Sequence, residues 1–405
     1  MNLFVVVFCP FAAGFFLSFL FRIVNGVIAK DLATTFTLSP AELGLLSSTY
    51  LLAFAAMQIP VGVFLDRYGP RRVVALLLLV AAAGSISFAV ADGFTSLALG
   101  RALIGVGVSA CLTGAMKAFT QWYPLERLSS LNGLIIAAGG LGGIAATSPF
   151  EIGAAAFGWR AMFVLLAAMC VACAAYILFV VPEKPGTGKA EGWGSAFRRV
   201  GEIFGATVFW RVGLSLMIIH ASFQALLGLW LAPWLIDVAG LTRAQAANWL
   251  FAAVLSYTLG SLFFGVGADQ LSARGFSRLT VLKWGTAVAV AALFGLAAAP
   301  AQGMFVLLLV YSFSVIAPAL AYALLTRHFP PEVSGRVNTA LNVGMFTSSF
   351  LVQAGVGAVL RWFPADGARY SPQGYAIALG SLASLHVLVW LWLATLKEEP
   401  RPHQQ

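Results

Sequence analysis

The stretch Gly62-Val63-Phe64-Leu65-Asp66-Arg67-Tyr68-Gly69-Pro70-Arg71-Arg72 decides how this chain is read. It sets Asp66, Arg67, Arg71 and Arg72 between two apolar runs, 43–64 and 73–91. A helix needs roughly 20 apolar residues to cross a bilayer, because each residue adds only about 1.5 Å. A short charged turn between two such runs is therefore a loop at a membrane face.

Outward from that turn the pattern repeats. Apolar runs at 4–29, 43–64, 73–91, 95–119, 129–150, 160–181, 209–235, 248–267, 279–298, 304–325, 338–360 and 375–396 predict twelve transmembrane helices. Of the 405 residues 60% are apolar and 10% charged, where a soluble domain carries about 25% charged. This excludes a soluble enzyme, a disordered chain and a nucleic-acid partner. The net charge of +9 has another origin, because seventeen Lys and Arg residues fall on one side of the predicted membrane and six on the other. Basic loops stay in the cytoplasm, so both termini are expected inside. The first apolar run has no Lys or Arg before it and continues past Phe21, so it is expected to remain as a span rather than be cleaved. Cys9, Cys111, Cys170 and Cys173 all sit in apolar runs and read as compact hydrophobes, with no disulfide framework.

The one long polar connection, 182–208, lies at the midpoint. It divides the chain into a six-helix half at 1–181, a cytoplasmic linker at 182–208, a second six-helix half at 209–396 and a tail at 397–405. The halves carry a repeat. Pro124, Glu126 and Asn132 recur as Pro330, Glu332 and Asn338, and Gly62 and Asp66 recur as Gly265 and Asp269. Recurrence at half-length spacing points to two pseudo-symmetric bundles of parallel repeats.

These residues resemble the major facilitator superfamily over the whole chain. The family's cytoplasmic G-x-x-x-D-R-x-G-R-[KR] signature is matched by Gly62, Asp66, Arg67, Gly69, Arg71 and Arg72, with Pro70 interrupting its end. Arg101 and Gly105 match the pattern of the fourth span. Gly139, Gly140, Gly142, Gly143 and Pro149 match the glycine-rich fifth, and Gly158-Trp159-Arg160 precedes the sixth. The resemblance implies an all-α membrane protein that works by rocker-switch alternating access. It also implies that Asp66, and Asp269 in the second half, face a helix end across the cytoplasmic gate, and that the span-five glycines form a packing seam.

Ionisable and amide groups inside spans are the candidates for substrate binding, because each is costly at mid-bilayer. Arg22 and Asn25 share a face of span 1 with Phe15 and Phe19, and His220 and Gln224 share a face of span 7. Lys117 lies in span 4. For Arg22 and Lys117 two readings stand: a cation facing a cavity, or a side chain snorkelling to the interface. His220 is likewise either a proton carrier or a hydrogen-bonded structural histidine. Gln58, Asn342, Gln353, Tyr50, Tyr257 and Tyr311 are lesser cavity candidates, and His386 in span 12 reads as structural. All fifteen acidic residues fall in loops or near span ends.

The expected function is therefore secondary active transport of a small organic or inorganic anion across the cytoplasmic membrane. The alternatives are export of amphipathic compounds and a transporter-like ligand sensor. No enzyme activity, cofactor or metal is expected. A proton is the candidate coupling ion, carried by His220, and a monomer in the lipid bilayer suffices. If the orientation is right, Ala190→Cys should resist an impermeant thiol reagent applied to intact cells and react once the membrane is permeabilised. Labelling from outside would overturn it.

Overall fold

The computed structural model describes residues 2–183, 192–264, 274, 276–298, 303–326, 328–329, 334–363 and 370–396, which are helical with short turns. The helices are α1 (Cys9–Val27, led in by a π-turn at Phe4–Phe8), α2 (Ala29–Thr35), α3 (Pro40–Tyr68), α4 (Pro70–Ala89), α5 (Phe94–Val108), α6 (Cys111–Trp122), α7 (Leu125–Ala145), α8 (Ser148–Phe157) and α9 (Trp159–Val180). Then come α10 (Trp193–Phe204), α11 (Thr207–Ala225), a π-turn at Leu226–Trp230, α12 (Leu231–Asp237), α13 (Arg243–Leu262), α14 (Arg278–Ala298), α15 (Met304–Ser314), α16 (Leu320–Thr326), α17 (Ser334–Arg361) and α18 (Pro372–Ala394).

Eleven helical stretches among the described residues are long and apolar enough to cross a membrane. The eighth expected span is α13, which is more polar because Gln245, Asn248, Ser256, Tyr257, Thr258 and Ser261 lie along it. The bundle is inside out relative to a soluble protein. Phe179 is 86% exposed and Trp284 70%, while Arg22, Asn25, Gln58, Arg101, Gln224 and Gln353 are buried. An apolar exterior around a polar interior fits lipid as the surrounding solvent.

The packing repeats between the halves. α1 packs on α7 as α11 packs on α17, and α4 packs on α5 and α9 as α14 packs on α15 and α18. Between halves, α3 lies along α17 and α7 along α13. The helix starts repeat too. Ser39 and Glu42 close a capping box on α3, and Thr242 and Gln245 close one on α13. These pairs stand at the same spacing as Gly62 and Gly265. Each box satisfies orphan N–H groups reciprocally, so the repeat reaches the helix entrance.

Small residues set the spacing of the helices. A Cβ on Gly142 would lie 2.1 Å from the Phe16 carbonyl oxygen, and one on Gly139 2.4 Å from the Phe15 ring. Gly140 and Gly143 meet Thr258 and Val254 of α13. The span-five glycines thus form a seam against α1 on one side and α13 on the other. The fifth span then breaks at Ala146–Thr147, and Pro149 sits in the first turn of α8, where its missing N–H costs nothing.

The expected linker 182–208 is not all loop. Residues 184–191 lie outside the described set, as does Asp269, but Trp193–Phe204 is the helix α10. It buries Val200 and Ile203 and packs on α3, α11 and α17.

Gly142→Ala should overpack the α1–α7 seam by about 1–3 kcal/mol and lower the melting temperature of the purified protein. Gly133→Ala, in the same helix with nothing within 4 Å of an added Cβ, should leave it equal or slightly higher. Equal melting temperatures for the two variants would refute the seam.

Candidate functional site

Helical spacing puts Phe19, Arg22 and Asn25 on one side of α1. The Arg22 guanidinium carbon lies 4.9 Å from the Phe19 ring centroid, 5.4 Å from Phe54 of α3 and 5.0 Å from Phe346 of α17. Phe54 and Phe346 meet each other at 4.2 Å. Both rings belong to the middle of their helices, so the guanidinium is held at mid-bundle, where the halves face each other. Only 8% of Arg22 is exposed, which decides between the two readings in favour of a cation held inside the bundle. It forms no ion pair among the described residues, and its Nε has no hydrogen-bond partner.

The second half closes on this cage through α11. His220 stands edge-on to Phe346 at 6.2 Å, with Nε2 unpartnered. One turn on, Gln224 is buried with Nε2 unpartnered. A Cβ on Gly228 would sit 3.1 Å from the Arg22 carbonyl oxygen and 3.2 Å from Gln224 Nε2, so glycine in the π-turn lets α1 and α11 meet here. Asn25 donates through Nδ2 to Ser47 Oγ, leaving Oδ1 free. Toward the α3–α4 turn, Tyr322 donates to Asn342 Oδ1 at 2.5 Å, and Asn342 Nδ2 donates across the halves to Gln58 Oε1 at 3.4 Å.

Other expected site residues fall elsewhere. Lys117 does not face Arg22. Its ammonium pairs with the Asp66 carboxylate near the α3–α4 turn. Asp66 is thereby engaged within its own half instead of facing a helix end across the gate. Near this turn Gly62 meets the other half: an added Cβ there would lie 3.1 Å from a guanidinium nitrogen of Arg336. Arg71 Nε donates to the Leu178 carbonyl oxygen at 3.0 Å, and Arg72 pairs with Glu183, so both tie α4 to the end of α9. Arg67 lies over the Tyr68 ring. Gly69 has φ of 78°, which favours glycine, and this permits the tight turn from α3 into Pro70.

Arg101 and Gly105 serve a common end. Gly105 lets the α3 backbone approach, since a Cβ there would be 2.3 Å from the Tyr50 carbonyl oxygen. Arg101, 1% exposed, stacks on the Tyr50 ring at 4.8 Å and donates to the Phe21 carbonyl oxygen at 3.2 Å. Together they hold Tyr50 beside α1, where its hydroxyl donates to the Ser18 carbonyl oxygen at 3.4 Å. His386 is buried and bonds Ser222 Oγ at 2.8 Å.

A buried cation with no ion-pair partner among the described residues, held between two matching helical bundles, marks a polytopic membrane protein with a polar centre. The family profile of the Major Facilitator Superfamily matches residues 11–353, and the chain belongs to that family. It is 27% identical over 171 residues to a protein of Cupriavidus necator named as a probable sulfoacetate transporter, covering 42% of this chain and 40% of that one. It is 33% identical over 121 residues to a nitrate/nitrite transporter of Picosynechococcus, covering 30% of this chain and 22% of the relative. The chain thus spans less than half the length of either relative. The crystal structure of a D-xylose-proton symporter superposes with a TM-score of 0.76 at 17% identity, covering 97% and 98% of the two chains. The protein is a multi-pass membrane protein of that family.

The Lys117–Asp66 pair is half-exposed, so its net worth is small. A double-mutant cycle with Lys117→Gln and Asp66→Asn, read by thermal unfolding, should give a coupling of about 0.5–1 kcal/mol. Zero coupling would mean that the pair does not form in solution.

Proposed function

We propose that this protein is a secondary carrier of a small organic or inorganic anion, bound at Arg22 and moved by alternating access. The observation that carries the reading is the guanidinium caged by Phe19, Phe54 and Phe346 with no ion-pair partner among the described residues. Each cation–π contact stabilises by about 0.5–2 kcal/mol, against an effective desolvation penalty of several kcal/mol for a buried ion. The rings make the arginine tolerable without cancelling its charge. An anion does cancel it, and a guanidinium can hold a carboxylate or oxyanion through two parallel hydrogen bonds. Gln224 Nε2 is a further unused donor. The names of the sulfoacetate and nitrate/nitrite relatives agree with this class of substrate.

The moving bodies are the halves 1–181 and 209–396, rocking about the level of Arg22 in the cytoplasmic membrane with both termini inside. His220 is the candidate proton carrier. A proton on His220 and a charge on Arg22 repel each other until an anion lies between them, so anion and proton would bind together.

The test is a thermal-shift titration of purified protein with nitrate, sulfate, sulfonates, carboxylates, organic cations and neutral sugars. Anions should raise the melting temperature. Arg22→Ala should abolish the response, Arg22→Lys should lose most of it, and His220→Ala should keep it while removing its pH dependence. A response to cations, or an unchanged anion response in Arg22→Ala, would refute the reading.

A further inference from the structure

Beyond the anion site, at the end of the bundle opposite the α3–α4 turn, five charged side chains cross from one half to the other. Lys30 Nζ of α2 lies 2.6 Å from Asp237 Oδ1 at the end of α12. Arg243, at the start of α13, holds Asp31 of α2 through two nitrogens at 2.8 and 2.7 Å. The same guanidinium reaches Glu151 of α8 through Nε at 2.7 Å. Asp237 has no exposed side-chain surface, and it also accepts from the Tyr370 backbone N–H at 3.2 Å and the Tyr375 hydroxyl at 3.3 Å. The Lys30 ammonium lies 4.9 Å from the Tyr370 ring centroid. Ser148 Oγ donates across to Asn248 at 2.8 Å.

We propose that Lys30–Asp237 and Arg243–Asp31–Glu151 form a charge lock that closes this end of the transporter, the outer end by the charge asymmetry of the loops. Both ion-pair groups join residues of 1–181 to residues of 209–396. Ion pairs suit a seal that must open on every cycle. In the closed state the charges lose hydration and gain each other; in the open state water replaces the partner, so the two states stay close in free energy. An apolar seal of the same area would lose its burial outright on opening.

The lock is built on the helices of the anion site. Lys30 follows Arg22 along the first span, past a break at Ile28, and Asp237 follows Gln224 past the π-turn at Leu226–Trp230. Between site and lock, Gly26 rests on the backbone of Leu227–Leu229, with an added Cβ 3.1 Å from the Leu227 carbonyl oxygen. Backbone contact leaves little slack there. An anion that draws Arg22 toward α11 therefore favours the closed lock. π-turns inside helices recur at functional sites, and this one lies in the seventh span between Gln224 and Asp237.

The proposal rests on the alternating-access reading, and its test uses no substrate, so it can fail independently of the anion assignment. Ser47 is 1% exposed, one turn beyond Gly44, which packs against Trp230 and the Gln353 backbone of the other half. Ser47→Cys, with the four native cysteines replaced by alanine, reports opening of this end through its reaction with a water-soluble maleimide on purified protein. Lys30→Met leaves Asp237 buried without a counter-ion and should speed labelling at least about tenfold, equal to about 1.4 kcal/mol. Asp237→Asn alone, which removes the carboxylate from the Lys30 ammonium, should also speed labelling. The double variant Lys30→Met/Asp237→Asn removes both charges and should label near the parent rate. A general loss of folding would instead speed the double variant as well. Single variants that label like the parent, or a double variant that labels as fast as the singles, would overturn the lock.

Discussion

Everything in this structure is arranged around one guanidinium that the bilayer should not tolerate. Arg22 sits at mid-bundle, 8% exposed, with three phenylalanine rings around it and no ion-pair partner among the described residues. A cation so placed is unstable in lipid and only partly soothed by aromatic faces. The bundle must therefore keep it off the lipid, and the first span does so from inside a ring of neighbours. α7 packs on α1 through the glycine seam, and α11 meets it where Gly26 and Gly228 remove the side chains between the backbones. The close helix crossings are the geometric condition for a charge at the centre.

The rest of the chemistry is distributed along the same axis. At one end Asp66, Lys117, Arg71, Arg72 and Glu183 tie the first half together internally. At the other end Lys30, Asp31, Glu151, Asp237 and Arg243 tie one half to the other. Under the proposed rocking motion the asymmetry matters, because contacts within a half would persist through the cycle and contacts between halves would not. Near the centre, the Gln58–Asn342 hydrogen bond at 3.4 Å and the Phe54–Phe346 contact are the between-half contacts nearest the Arg22 cage on the α3–α4 side. One is a long hydrogen bond between neutral amides and the other a ring contact, and neither carries a charge.

The signature motifs acquire physical reasons that no pattern supplies. Arg101 and Gly105 act together on Tyr50, one stacking on its ring and the other clearing space for its backbone. Gly69 turns the chain in a backbone region that side chains avoid, and Arg71 and Arg72 then reach the end of α9. The four span-five glycines serve two different helices, not one. A motif read from sequence names the residues and leaves open what they touch.

The number of spans, their order, the two-fold repeat and the membrane setting were legible in the sequence because they depend on local composition and length. Arg22 with Asn25, and His220 with Gln224, were legible as pairs because helical periodicity alone puts residues three or four apart on one face. Two further local signals were present and easily passed over: the capping boxes at Ser39 and Thr242, and the helix at Trp193–Phe204, whose flanking glycines and charges read as linker. Tertiary structure decided the rest. That Phe54 and Phe346 cage Arg22, that Lys117 belongs to Asp66 and not to the central site, and that Lys30 meets Asp237 are long-range facts. They follow from which helices cross and at what height, and those crossings are set by glycines such as Gly26, Gly142 and Gly228, whose packing partners are remote in sequence.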